Sequence, residues 1–115
     1  MKVEERLLSG LRSHGRKHGG VMDVKPQSIR IHAQVIGMVQ GVGFRYAALR
    51  VAERIQVTGW VHNEHDGSVV VEAQGDEEAI SSMTQWLHEG PAWARVDNVN
   101  IEHINPVPER RFIIR

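Results

Sequence analysis

The sequence predicts an α+β fold in which the elements follow the order β-α-β-β-α-β and a short strand ends the chain. Three observations lead to this prediction. Apolar and polar residues alternate in several short segments, which is the period of a half-buried strand. Two longer segments place apolar residues three and four positions apart, as on one face of a helix. Glycine, proline or Asp-Gly separates several of these segments, as turns require.

The first strand, helix and second strand are predicted from the first half of this pattern. Residues 29–35 alternate between apolar and polar and form the first predicted strand. The segment Tyr46–Ile55 contains no helix breaker, and its apolar residues fall on one face at helical spacing. Residues 57–62 alternate again, and they form the second predicted strand.

A tight turn and a second helix come next. The sequence "EHDG" at 64–67 predicts a hairpin, because Asp-Gly supplies the positive φ that tight turns need. Residues 68–74 then alternate as the third strand. Asp76 is predicted to cap the second helix, with Glu77 and Glu78 favourably placed in its first turn.

The last part of the chain predicts two more strands. The second helix ends at "EGP" (89–91), because proline cannot continue a helix. In the fourth strand Val96 is out of phase with the apolar residues that follow it, so we expect a β-bulge near Asp97–Asn98. Phe112 and Ile114 then form a short fifth strand.

This element order is that of the ferredoxin-like α+β sandwich, in which both helices cover one face of an antiparallel sheet. A right-handed crossover makes the first and second strands parallel, so both end at the same edge of the sheet. The fold alone does not determine a function, since many activities occur on it.

Composition and charge set the organisation of the chain. At 115 residues it forms a single domain, and its 41% hydrophobic and 24% charged residues are ordinary for a globular protein. Without cysteine there is no disulfide, thiolate metal site or cysteine nucleophile, and we expect a cytoplasmic protein. Residues 1–20 carry five Lys and Arg against two Glu. We therefore expect a basic, disordered leader over residues 1–27 and a folded domain over residues 28–115.

The sequence "IGMVQGVGFR" at 36–45 lies where the first strand should pass into the first helix. Glycines there permit a tight turn whose N–H groups point outward at a helix start, where the macrodipole favours an anion. Arg45 adds a planar cation that can bind two oxygens, so the loop suits a phosphoryl group. The structural alternative is a tight glycine turn whose arginine is only solvated.

Asn63 lies at the end of the second predicted strand, at the same sheet edge as the loop. A neutral amide beside an arginine can hold a water molecule in line with a phosphorus atom. The structural alternative is that Asn63 caps the hairpin through its own side chain.

Together, "GMVQGVGFR", "GWVHNEHDG" and "VEAQG" resemble the acylphosphatase family, over about residues 31 to 115. The resemblance implies that Arg45 binds phosphate and that Asn63 positions the attacking water. It assigns the phosphate cradle to the loop residues Gln40, Gly41, Val42, Gly43, Phe44 and Arg45.

The resemblance also implies a reaction: hydrolysis of an acyl phosphate to a carboxylate and inorganic phosphate. In the reaction of the family no metal and no covalent intermediate is required. For this chain we expect no cofactor, a small-molecule acyl phosphate as substrate, no nucleic acid or membrane partner, and a monomer. The alternative is a non-catalytic ferredoxin-like module with an anion-binding or regulatory function. An RNA-binding version is disfavoured, because the expected aromatic platform on the central strands is replaced by Ile, His, Val and Glu.

Two positions depart from the usual pattern of the family. His62 stands where arginine is common, so any positive charge there would depend on pH. Gln56 stands where a glycine usually ends the first helix, and a positive φ there would cost about 1 kcal/mol. His62 and His65 flank Asn63, but with no third ligand nearby we expect surface histidines and no metal site.

Overall fold

The structure, a computed structural model, describes residues 28–115, and the leader predicted over residues 1–27 lies outside the described residues. The described part contains five strands and two helices in the predicted order. The strands are β1 (Ile29–Met38), β2 (Thr58–Asn63), β3 (Val69–Gly75), β4 (Arg95–Ile104) and β5 (Phe112–Ile114). The helices are α1 (Phe44–Ile55) and α2 (Glu77–Glu89).

The strands form one sheet in the order β4-β1-β3-β2-β5. β3 pairs antiparallel with both β1 and β2, so these two strands run in the same direction and end at the same edge. β5 pairs parallel with β2, which makes the sheet mixed. The prediction of a ferredoxin-like α+β fold with a short fifth strand is confirmed.

The core lies between the sheet and the two helices, because the alternating apolar residues of the strands face the apolar stripes of α1 and α2. Burial of these side chains is the main source of stability. The strands contribute Ile31, Ala33, Val35, Val61, Val69, Val71 and Ala73, and the helices contribute Ala48, Val51, Ala52, Ile80, Met83 and Leu87.

Two irregularities agree with the expectations from the sequence. On β1, Ile36 pairs with Asn98 and Gly37 with Val96, so Asp97 is the extra residue of a bulge in β4. Gln56, the C-cap of α1, has φ 63° and ψ 52° and is the only non-glycine residue with positive φ in the described part. The positive φ anticipated for Gln56 is therefore present.

The other face of the sheet carries an ion-pair cluster around Arg30, whose side chain is 3% exposed while its partners are partly exposed. The Arg30 guanidinium contacts the carboxylates of Glu72 and Glu109, at 2.9 Å and 2.7 Å. His32 Nδ1 lies 2.7 Å from the second oxygen of Glu72. Burial raises the pKa of the Glu72 carboxyl, but the hydrogen bonds from His32 and Arg30 outweigh burial and hold this pKa below its ordinary value. Glu109 belongs to the connection between β4 and β5, so its ion pair with Arg30 holds this connection against the sheet.

Candidate active site

The loop between β1 and α1 is held to the core by its own apolar side chains. Val39 and Phe44 are buried, and Val42 packs against the same core. Gly41 and Gly43 alternate with these anchors, are exposed, and have φ of 76° and 80°. A Cβ at either glycine would meet no atom within 4 Å, so both face open space. The side chains of the loop therefore hold it to the core, and its backbone faces outward.

The backbone of this loop has the conformation of an anion-binding nest. Positive φ at Gly41 and Gly43, with negative φ at Val42 between them, is the alternation that turns successive N–H groups toward one point. Gly43 is also the N-cap of α1, so the nest continues into the first turn of a helix. The partial positive charge of that helix end adds to the attraction for an anion.

The two helices begin in opposite ways. α2 is capped by Asp76, whose Oδ1 accepts a hydrogen bond from the Ala79 N–H at 2.8 Å, and its first turn holds Glu77 and Glu78. α1 begins at Gly43 with no side-chain cap and no acidic residue in its first turn. The predicted cap at Asp76 is confirmed. The N–H groups at the start of α1 have no side-chain acceptor, which leaves them open to an external anion.

Arg45 lies in the first turn of α1, where its positive charge opposes the helix dipole. Its side chain is exposed, and no other residue of the described part forms a hydrogen bond, ion pair or ring contact with it. Arg30, by contrast, is buried, and its guanidinium pairs with the carboxylates of Glu72 and Glu109. An unpaired cation at the unfavourable end of a helix is explained if its partner is a ligand.

Asn63 ends β2 on the helix-covered face of the sheet. It lies opposite Val69, which in turn lies opposite Val35, so all three side chains share the face that holds the core. Its Oδ1 atom is buried, and no described group donates a hydrogen bond to it. A buried acceptor without a donor is costly, so we expect this oxygen to receive its hydrogen bond from a water molecule or a substrate.

The structural alternative, that Asn63 caps the hairpin, is not what the structure shows. Asp66 caps this turn: its Oδ1 accepts hydrogen bonds from the Ser68 N–H at 2.9 Å and the Ser68 hydroxyl at 2.6 Å. These bonds hold the pKa of the Asp66 carboxyl below its ordinary value. The backbone of Glu64 closes the same turn by donating to the Ser68 carbonyl at 2.9 Å. The turn is complete without the amide of Asn63.

The side chain of Gln40 has a role that the sequence did not reveal. Its Nε2 donates to the carbonyl oxygens of Glu64 at 2.8 Å and Ser68 at 2.9 Å, which ties the loop to the hairpin that follows Asn63. The resemblance assigned Gln40 to the phosphate cradle, but no local pattern indicates where a glutamine amide will donate. The Asp66–Ser68 bond, in contrast, had a signal, because Asp two residues before Ser is typical of an Asx turn.

Comparison with known proteins identifies the family. A sequence model of the family described as Acylphosphatase matches residues 31–114. The chain belongs to the acylphosphatase family. It is 51% identical over 73 residues to an acylphosphatase of Salinibacter ruber, which covers 64% of this chain and 77% of that protein. It is 43% identical over 89 residues to an acylphosphatase of Bifidobacterium longum, covering 76% of this chain and 92% of the relative.

A solved structure agrees with this assignment. The acylphosphatase from Coxiella burnetii superposes with a TM-score of 0.75 at 43% sequence identity, covering 77% of this chain and 94% of that one. The predictions of the family, of the fold and of a hydrolase of acyl phosphates are thus confirmed. Neither helix of the described part is long and apolar enough to cross a membrane.

His62, which was considered as a metal ligand together with His65, lies on the face of the sheet opposite to Asn63. His62 is the neighbour of Asn63 on β2, so its side chain points to the opposite face of the sheet. There its Nε2 lies 3.7 Å from the Glu64 carboxylate. The described residues contain no group of three or more His, Cys, Asp or Glu that could hold a metal ion.

Proposed function

We propose that this acylphosphatase binds the phosphoryl group of its substrate in the loop 40–45 and hydrolyses it with the help of Asn63. In this proposal the outward N–H groups of the loop and of the first turn of α1 surround the phosphoryl oxygens. The Arg45 guanidinium pairs with two of them, which a planar fork does better than a point charge. Asn63 Oδ1 accepts a hydrogen bond from the attacking water and fixes its direction of approach.

The step balances without another reactant. The water oxygen forms a bond to phosphorus while the bond from phosphorus to the bridging acyl oxygen breaks. The electron pair of that bond leaves on the carboxylate, and one proton of the water passes to a phosphate oxygen, which gives dihydrogen phosphate. Because the leaving carboxylic acid has a pKa of about 4, no strong general acid is needed at neutral pH. A loose transition state of this kind requires positioning and neutralisation of charge, which the loop, Arg45 and Asn63 supply.

One observation carries the proposal. An arginine and a buried amide oxygen, neither of which has a partner among residues 28–115, lie at the same end of the sheet, on the face where α1 begins. Either feature alone destabilises the folded chain. A phosphoryl group in the loop with a water beside it would satisfy both.

The experiment is hydrolysis of benzoyl phosphate by the purified full chain with EDTA present, alongside Arg45→Ala and Asn63→Ala. We expect turnover by the wild type that EDTA does not reduce and that both substitutions abolish while the variants remain folded. A folded wild type that binds inorganic phosphate without turnover would replace this proposal with the non-catalytic anion-binding alternative. The expectations of a monomer in the cytoplasm, and of a domain boundary at residue 28, remain predictions.

A further inference from the structure

The loop and Asn63 belong to parts of the sheet that are not neighbours. β3 lies between β1 and β2, so the ends of these two strands are separated by two strand spacings, or roughly 10 Å. Hydrolysis requires the phosphorus held by the loop and the water held by Asn63 to keep a fixed distance. The sheet fixes the two strands, but the loop continues beyond β1 and needs its own support.

Gln40 provides this support. Both hydrogens of its amide are used, since Nε2 lies 2.8 Å from the Glu64 oxygen and 2.9 Å from the Ser68 oxygen. Among the described residues these are the only hydrogen bonds between the loop and the hairpin turn. Glu64 directly follows Asn63, so the bond reaches the residue next to the one that holds the water.

The hairpin end of this link is itself rigid. The Ser68 carbonyl that accepts from Gln40 also accepts from the Glu64 N–H at 2.9 Å, and Ser68 is held by Asp66 and is only 4% exposed. The loop end is rigid because Val39, the residue before Gln40, is fully buried. The Gln40 amide therefore connects two segments that are each held in place, the start of the loop and the hairpin turn.

We propose that Gln40 is a positioning residue of the acyl phosphate site, whose side-chain amide sets the distance between the phosphate loop and Asn63. This side chain acts through the loop and does not itself contact the reacting atoms. This inference rests on the proposed function of the loop and Asn63. Because a misplacement of about 1 Å can reduce a rate on the order of 100-fold, the loss should appear in turnover more than in binding.

The test compares Gln40→Met with the wild type in benzoyl phosphate hydrolysis, with inorganic phosphate as a competitive inhibitor. Methionine keeps the length of the side chain and removes the donor. We expect kcat to fall by about 10- to 100-fold, while the inhibition constant of phosphate changes by no more than about threefold, because the loop N–H groups and Arg45 remain. Gln34→Met is the matched control, since the Gln34 amide donates to the Ser68 hydroxyl at 3.4 Å from the other face of the sheet. It should leave both constants unchanged.

Several results would overturn the proposal. One is a folded Gln40→Met protein with wild-type kcat; another is a loss of phosphate affinity as large as the loss of kcat, which would make Gln40 an anion ligand. If Gln40→Met does not fold, Gln40→Asn decides by the same two constants, because its shorter amide cannot reach both carbonyls. A wild type without turnover would overturn this proposal together with the proposed function. If Arg45→Ala abolishes turnover and Gln40→Met leaves it intact, the positioning role of Gln40 is overturned and the proposed function is not.

Discussion

Replacing Asn63 by leucine should separate activity from stability, because leucine has the same branching as asparagine but no polar atoms. In the folded chain Asn63 Oδ1 is buried without a described donor, and Asn63 lies opposite Val69 at the start of β3. A buried unsatisfied acceptor costs about 1–3 kcal/mol, and a bound water recovers part of that cost. We therefore expect Asn63→Leu to raise the free energy of unfolding by about 1 kcal/mol.

The same substitution should strongly impair catalysis. Loss of one preorganised group that stabilises the transition state costs about 100- to 1,000-fold in kcat, which corresponds to about 3–4 kcal/mol. Asn63→Leu should thus increase stability and decrease activity, as expected for a catalytic residue whose buried polar atom destabilises the folded chain.

Urea unfolding at neutral pH and the rate of benzoyl phosphate hydrolysis measure the two effects on the same samples. Asn100→Leu is the control, since Asn100 is exposed on β4 and its side chain, within the described part, has just a 3.4 Å contact with Gln34 and a bond to Asn98. We expect it to change the free energy of unfolding by less than about 0.5 kcal/mol and to leave kcat unchanged. An Asn63→Leu protein that is less stable than the wild type by more than about 1 kcal/mol, or a folded variant that keeps its activity, would rule out this role of Asn63.

Three further predictions concern the loop, the end of α1 and the ion-pair cluster. Arg45→Ala should weaken inhibition by inorganic phosphate at least about tenfold and raise the free energy of unfolding by about 0.3–1 kcal/mol, because it removes a cation from the positive end of a helix; inhibition kinetics and urea unfolding measure both. Gln56→Gly should raise the free energy of unfolding by about 0.5–1 kcal/mol, since glycine adopts positive φ without strain, and should leave kcat unchanged. Glu72 has a lowered pKa in the folded chain, so its contribution to stability is complete above the ordinary value of 4.5 and is lost as pH falls through the lower folded value. Unfolding of Glu72→Gln should therefore depend less on pH than unfolding of the wild type below about pH 4.5, and an unchanged dependence would contradict the role given to the contacts of Glu72 with His32 and Arg30.

The element order could be predicted because each element has a local signal in the sequence. Alternation marks the strands, Asp76 marks the start of α2, and the phase of Val96 marks the bulge at Asp97. The position of β5 beside β2 could not be predicted in this way. β5 pairs with residues of β2 that lie far away in the sequence. The connection that leads to β5 contributes Glu109, which pairs with Arg30 from 79 positions away. Contacts over such distances leave no local pattern in the sequence.

Some features of the candidate site could likewise be predicted from the sequence, and others could not. The glycines of the loop and Arg45 stand within one short segment, so their role could be inferred from the loop itself and from the resemblance to the family. The amide bonds of Gln40 to the hairpin and the lack of a donor for Asn63 Oδ1 arise only when β1 and β2 end at the same edge of the sheet. Such features depend on long-range packing, and they became visible only in the folded chain.

In the proposed function the phosphoryl group occupies the loop before α1. The most direct measurement is a titration of the isotope-labelled full chain with inorganic phosphate, followed by the backbone amide signals in NMR spectra. We predict that the amides of residues 41–45 shift together and saturate, that Arg45→Ala removes the effect, and that His32 on the opposite face does not respond. Shifts centred on the His32 face, or shifts in the loop that persist in Arg45→Ala with unchanged affinity, would contradict the account.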